Sequence, residues 1–177
     1  MTTPTVIVAG LGRCGSTMTM HMLRAGGIPF VTGADPHSGE GGSAQPGHCF
    51  KVLNQLPSGD YGPATVAIWV SRNPRWQAAS MRKFMRAAGY HTSTRMEKAL
   101  RDSIIADQPT HIQAWREAMP TLVIAYEDVL RDPLQAAKSM AAHVKPLRLD
   151  AEQAARVVHL RNARTLPDLS FEMGAAR

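Results

Sequence analysis

Thr5-Val6-Ile7-Val8-Ala9-Gly10-Leu11-Gly12-Arg13-Cys14-Gly15-Ser16-Thr17 is the stretch whose reading decides the fold. Thr5 to Ala9 is a short β-branched run, the pattern of a strand buried on both faces of a parallel sheet. Gly10 to Gly15 is a turn. Ser16 to Ala25 then reads as a helix, with Met18, Met22 and Ala25 on one face and Gly26-Gly27 as its stop. Strand, glycine turn and helix together form a phosphate cradle, because the N–H groups at a helix start point outward and its dipole favours negative charge.

Outward from the cradle, the pattern alternates strands and helices. Ile28 to Thr32 reads as a short extended piece. Residues 33–47 hold five glycines and two prolines and read as a mobile loop. Cys49 to Leu53, Thr65 to Val70 and Thr121 to Ala125 are three further strands. Asn73-Pro74 opens a helix that runs to about Ala88. Thr94 to Met119 is helical, with a break expected before Pro109. Asp132-Pro133-Leu134-Gln135 opens a helix to about His143. Asp150 to Leu160 is a last helix, and residues 165–177 read as an irregular tail. The expectation is one α/β domain over residues 1–177, with a central, mainly parallel sheet flanked by helices, P-loop NTPase-like.

Composition narrows the function. At 177 residues with 44% hydrophobic and 19% charged positions, the chain has globular composition. Two cysteines make neither a disulfide framework nor a four-ligand zinc site. No apolar run approaches the ~18 residues of a membrane span. Met1-Thr2-Thr3-Pro4 has no basic leader, so a cytoplasmic chain is expected. Net charge is +6, which suggests an anionic partner. Between Asp60 and Glu97 there is no acid but there are six cations: Arg72, Arg75, Arg82, Lys83, Arg86 and Arg95. No nucleic-acid recognition motif or aromatic platform accompanies them, so nucleic acid is not expected.

Three readings of the cradle compete. Gly10-x-Gly12-x-x-Gly15 with Asp35 twenty residues on fits the dinucleotide fingerprint, but a glycine-rich loop follows where a second βα unit belongs. Gly10-x-x-x-x-Gly15-Ser16-Thr17 has Walker A spacing with serine in place of the lysine that neutralises β/γ-phosphates. A tyrosine-phosphatase loop needs arginine six residues after its cysteine, where Met20 stands.

The third reading rests on a resemblance. Val8 to Thr17 resembles the 5′-phosphosulfate loop of sulfotransferases that use 3′-phosphoadenosine 5′-phosphosulfate (PAPS), usually Pro-Lys/Arg-Ser-Gly-Thr/Ser-Thr. Gly12 replaces its proline and Cys14 its first serine. Val70-Ser71-Arg72-Asn73-Pro74 through Ser80 resembles the family's 3′-phosphate site, a strand-end arginine followed eight residues later by a helical serine. Ala125-Tyr126-Glu127-Asp128-Val129-Leu130-Arg131-Asp132-Pro133 resembles its Tyr-Glu-Asp-Leu-x-x-Asp-Pro segment, and Ala25-Gly26-Gly27-Ile28-Pro29 is similar to bacterial members.

This resemblance implies a PAPS-dependent sulfotransferase, passing a sulfuryl group to the hydroxyl or amine of a small-molecule or glycan acceptor. Gly12, Arg13, Cys14, Gly15, Ser16 and Thr17 would hold the 5′ end of the nucleotide, and Arg72 and Ser80 the 3′-phosphate. Arg13 would stabilise the leaving phosphate. Lys51 stands in the family's Lys-x-x-His element, but Asn54 replaces the histidine. His48, His37 and Glu40 are the substitutes for it, His48 standing with Arg13 and Lys51 among the catalytic candidates, and an amine acceptor or a base supplied elsewhere also fits. Arg161 and Arg164 stand in for an absent C-terminal Arg-Lys-Gly motif. No metal is expected. The partners are PAPS, its product 3′-phosphoadenosine 5′-phosphate (PAP) and an acceptor, with a homodimer left open. A P-loop kinase-like enzyme, a dinucleotide enzyme and a non-catalytic nucleotide-binding module remain the alternatives.

Overall fold

A computed structural model describes residues 3–35, 39, 41, 43–57, 61–62 and 64–158. Its order is β1 (Thr5–Gly10), α1 (Ser16–Ala25), β2 (Cys49–Leu53), β3 (Thr65–Ser71), α2 (Pro74–Ala87), α3 (Thr94–Ala118), β4 (Thr121–Ala125), α4 (Tyr126–Arg131), α5 (Pro133–His143) and α6 (Ala151–Arg156). The four strands form one wholly parallel sheet in the order β2-β1-β3-β4. The α/β fold is therefore the one expected. His37, Glu40, Arg161, Arg164 and the 165–177 tail lie outside the described residues.

The period of two along β1 sorts its side chains. Val6 and Val8 join Met20, Met22, Leu23, Val129, Ala137, Met140 and Ala154 of α1, α4, α5 and α6 on one face. Ile7 and Ala9 join Trp69, Ala78, Ile104 and Trp115, under α2 and α3, on the other. All of β1 is buried, which is why it reads as a continuous apolar run. Trp115, fully buried, also donates from Nε1 to the carbonyl of Gln55 at 3.2 Å, tying α3 to the chain leaving β2. The outer edge of β2 is covered: Cys49 N–H donates to Pro29 O (2.8 Å), and Lys51 N–H to Gly39 O (2.8 Å).

Local signals placed most boundaries. Asn73 accepts from Arg75 N–H at 3.0 Å and Asp132 from Gln135 N–H at 2.9 Å, as the capping residues require. Four expectations change. The helix α3 runs through Pro109 without a break. The carbonyl that Pro109 leaves unbonded is that of Ile105, an exposed residue that water can reach, while Ile104 and Trp115 anchor the two sides. Residues 126–131 add a helix, α4, of only six residues, too short for periodicity to mark. The last helix ends at Arg156 rather than Leu160. On α1, Met22 is buried as expected, together with Ser16, Thr19, Met20 and Leu23; Met18 packs against the same core from the edge of a cleft, and Ala25 lines that cleft rather than the core.

The strand order fixes where a ligand can sit. From β1 the chain goes to β2 on one side, then crosses to β3 on the other. The crevice at the carboxyl end of β1 is therefore a topological switch point, the usual ligand site of open α/β sheets. The turn after Gly10 opens into it.

Candidate functional site

A cleft of about 810 Å³ lies at this switch point, within the ~300–1,000 Å³ of ligand pockets. Gly12, Arg13, Gly15, Ser16 and Thr17 line its floor. Lys51 and Leu53 enter from β2, and Arg72 follows β3. Met81 and Phe84 come from α2, and Tyr126 from α4. Met18, His21, Arg24 and Ala25 extend the wall along α1 to Val157. Every charged residue in this lining is a cation.

The turn is built for close approach. A Cβ on Gly10 would lie 2.6 Å from Cys14 Sγ and 2.8 Å from Val70 O, so only glycine lets the chain leave the sheet here. Gly15 has φ +109°, and a Cβ there would overlap the ring of Tyr126. The next residues begin α1, whose first-turn N–H groups have no partner within the helix. Gly15, Ser16 and Thr17 line the cleft, and the positive end of the helix dipole lies with them.

Arg13 adopts φ +68°, a left-handed conformation costing a non-glycine residue roughly 1–2 kcal/mol. Hydrogen bonds hold the turn in this shape. Gln77, fully buried on α2, donates from Nε2 to Leu11 O (3.1 Å) and Gly12 O (2.9 Å). Arg72 donates from Nη1 to Arg13 O at 3.0 Å. Gly12 N–H donates to Asn54 Oδ1 at 2.7 Å, and Asn54 N–H returns to Gly10 O at 3.0 Å. Asn54 itself has φ +56°, which asparagine tolerates better than most residues. The Arg13 guanidinium lies 5.0 Å from the Phe84 ring centroid.

The remaining cations are equally well seated. Lys51 is 5% exposed, in the middle of β2, with Nζ 3.4 Å from Thr17 Oγ1. The Arg72 guanidinium stacks 4.5 Å from the Tyr126 ring centroid. Glu127 accepts from Asn73 N–H at 3.0 Å, which ties α4 to the start of α2. The Tyr126-Glu127 pair thus places Arg72 from one side while the turn holds it from the other. Further along α1, Arg24 lies 5.2 Å from the Phe30 ring centroid, and His21 packs edge-on against the same ring at 6.1 Å.

The structure brings together Gly12, Arg13, Gly15, Ser16, Thr17, Lys51 and Arg72 from the sequence reading. Three other expected residues fall elsewhere. Cys14 is in the cradle by backbone only. Its side chain is 1% exposed and packs into the core against Gly10. Burial pushes its thiol pKa up, against smaller opposing hydrogen bonds with Ser16, so a lowered pKa at the helix start does not result. Ser80 is half-buried on α2, one residue before Met81, and is not part of the lining. His48 precedes β2 and pairs through Nδ1 with Pro46 O at 2.9 Å. It sits at the opposite end of the sheet from Leu53, ~16 Å away at about 3.3 Å per residue, and cannot serve this cleft as a base.

Sequence reasoning missed His21, Arg24, Gln77 and Tyr126 as parts of the site. The spacing of Thr17, His21 and Arg24, one helical turn at a time on one face, is the signal that marks the first two.

No protein-family model and no curated protein sequence matches the chain. Among solved structures it is similar to mouse sulfotransferase SULT7A1 complexed with PAP, at 17% identity and TM-score 0.57, over 86% of this chain and 64% of that one. It is also similar to retinol dehydratase in complex with androsterone and inactive cofactor PAP, at 16% identity and TM-score 0.53, over 86% of this chain and 62% of that one. The chain spans less than two thirds of either structure. The likeness is one of fold: the chain has the fold of the PAPS-dependent sulfotransferases.

Proposed function

We propose that the chain is a PAPS-dependent sulfotransferase, passing a sulfuryl group to a hydroxyl or amine of a small-molecule or glycan acceptor. The observation that carries this reading is the convergence of Arg13, Lys51, Arg72 and the start of α1 on one cleft, in a fold otherwise found holding PAP. The cleft suits the nucleotide. The bare Gly15 lets the Tyr126 ring pack against the turn, and Arg13, Lys51 and Arg72 surround the space above it.

PAPS supplies an activated sulfuryl group on a phosphate leaving group. Transfer forms a bond from the acceptor atom to sulfur and breaks the bond from sulfur to the bridging oxygen, whose charge grows as it departs. Arg13 and the positive end of α1 meet that charge, already in place before the reaction. The Arg13 guanidinium fork stabilises the leaving group by charge and hydrogen bonding. Lys51 adds a second cation beside Thr17. Arg72 reads the 3′-phosphate through charge-assisted hydrogen bonds from its guanidinium fork. His21, the described histidine lining the cleft, replaces His48 as the group able to take the acceptor's proton. These cations neutralise phosphate charge without a metal ion.

Both cysteines are unpaired and buried, which suits a reducing, cytoplasmic setting. Among the described residues no helix is long and apolar enough to cross a membrane.

The test is calorimetric titration of PAP and AMP, which differ only in the 3′-phosphate. PAP should bind roughly 10²-fold more tightly, the scale of two contacts to a charged group. Equal affinities rule the reading out.

A further inference from the structure

We infer that Gln77 and Asn54 are positioning residues that clamp the peptide groups around Gly12 and thereby hold Arg13 in its left-handed conformation. Glycine stands where the resembling loops carry proline, so the ring that would stiffen the turn is missing. Two side chains from other elements supply the stiffness instead.

The geometry is complementary. In a trans peptide the C=O and N–H point in opposite directions. For the Leu11–Gly12 peptide, the oxygen is held by Gln77 Nε2 at 3.1 Å and the N–H by Asn54 Oδ1 at 2.7 Å. The next peptide has its oxygen held by the same Gln77 nitrogen at 2.9 Å, so the Arg13 N–H is turned away from Gln77. The peptide after that has its oxygen held by Arg72 at 3.0 Å. The two peptides flanking the Arg13 Cα are thus both fixed, and with them the φ of +68°. The turn is also closed by Cys14 N–H donating to Leu11 O at 3.2 Å, a long bond that, with a side-chain bond on only one side, would hold Arg13 less firmly against relaxing into the ordinary right-handed region. Its guanidinium would then leave the Phe84 ring, 5.0 Å away.

The chemistry of the two residues fits this role. Gln77 is uncharged and fully buried, and its Oε1 has no hydrogen-bond partner among the described residues. A buried amide with an unsatisfied oxygen costs stability, and in return its NH₂ bonds two consecutive carbonyls of the turn. Asn54 replaces the family's histidine, and its side chain is committed to Gly12 rather than to an acceptor.

A double-mutant cycle between Gln77→Met and Arg13→Ala tests this. Methionine matches the size of glutamine and removes the donor. The turnover arm rests on the sulfotransferase reading, so the cycle is run in parallel on affinity for inorganic pyrophosphate, which any phosphate cradle can bind. The expected result is a loss of about tenfold in turnover, and of pyrophosphate affinity, from Gln77→Met when Arg13 is present. With Arg13→Ala already made, the same change should cost less than about twofold, since coupled residues depart from additivity and independent ones do not. Equal losses in both backgrounds, or no loss in either, overturn the inference. If Gln77→Met does not fold, Asn54→Gly runs the same cycle, because glycine keeps the left-handed backbone and removes only the acceptor oxygen. A wild-type protein that binds pyrophosphate with this coupling, but PAP no better than AMP, sustains the clamp and defeats the sulfotransferase reading. A wild-type protein that neither transfers a sulfuryl group nor binds pyrophosphate overturns the clamp as well.

Discussion

The ring of Tyr126 fills the space that a side chain on Gly15 would need. The same ring carries the Arg72 guanidinium at 4.5 Å, so one aromatic residue sets both the floor of the cradle and the cation beside it. Gly15→Ala should therefore be costly twice over, through overlap with the ring and through its φ of +109°. A destabilisation of about 1–3 kcal/mol is the scale for such overpacking. Urea unfolding of the variant checks it, and Gly15→Ala combined with Tyr126→Ala should recover part of the loss. An unchanged midpoint for the single variant would show that the ring moves aside at no cost.

Arg13→Ala should lower turnover far more than nucleotide affinity. Removing one preorganised group that meets developing charge costs about 10²–10³ in turnover. Steady-state kinetics with PAPS, set beside calorimetry with PAP, separates the two effects. Equal losses in both would make Arg13 a binding residue only.

Arg72→Ala should abolish most of the preference for PAP over AMP. It should also weaken AMP to a smaller degree, because Arg72 holds the Arg13 carbonyl at 3.0 Å as well as facing the cleft. Tyr126→Ala should act in the same direction and more weakly, by the ~0.5–2 kcal/mol of a cation–π contact. Titration of both nucleotides into each variant decides this. A PAP preference left intact in Arg72→Ala removes the residue from 3′-phosphate recognition.

Cys49 makes the fold sensitive to alkali. Burial raises its thiol from 9.0 to about 12. Folding thus favours the neutral thiol, and the contribution to stability is complete below pH ~9. It is lost as pH rises from there towards 12, because the unfolded chain ionises first and then binds fewer protons than the folded one. Unfolding midpoints at pH 8 and pH 10.5 should fall more for the wild type than for Cys49→Ala. Parallel pH dependence in the two proteins would exclude this role for the thiol. In the same buried state Cys49 and Cys14 should resist thiol reagents until the protein unfolds.

The sequence alone determined the framework. The β-branched run before Gly10 made a buried strand, the caps at Asn73 and Asp132 started their helices, and the glycine turn marked the ligand end of the sheet. These features depend on neighbours a few residues apart, so a short window contains their cause. What surrounds the turn depends on distance in space. Asn54 is 42 residues from Gly12, Arg72 is 59 from Arg13, and Gln77 is 66 from Leu11. No periodicity or capping rule reaches so far. His48 shows the same limit from the other side: it stands three residues before Lys51, yet strand direction carries it to the far end of the sheet. Only the folded sheet, by running every strand the same way and reversing its order at β1, brings Arg13, Lys51 and Arg72 to one cleft and leaves His48 outside it.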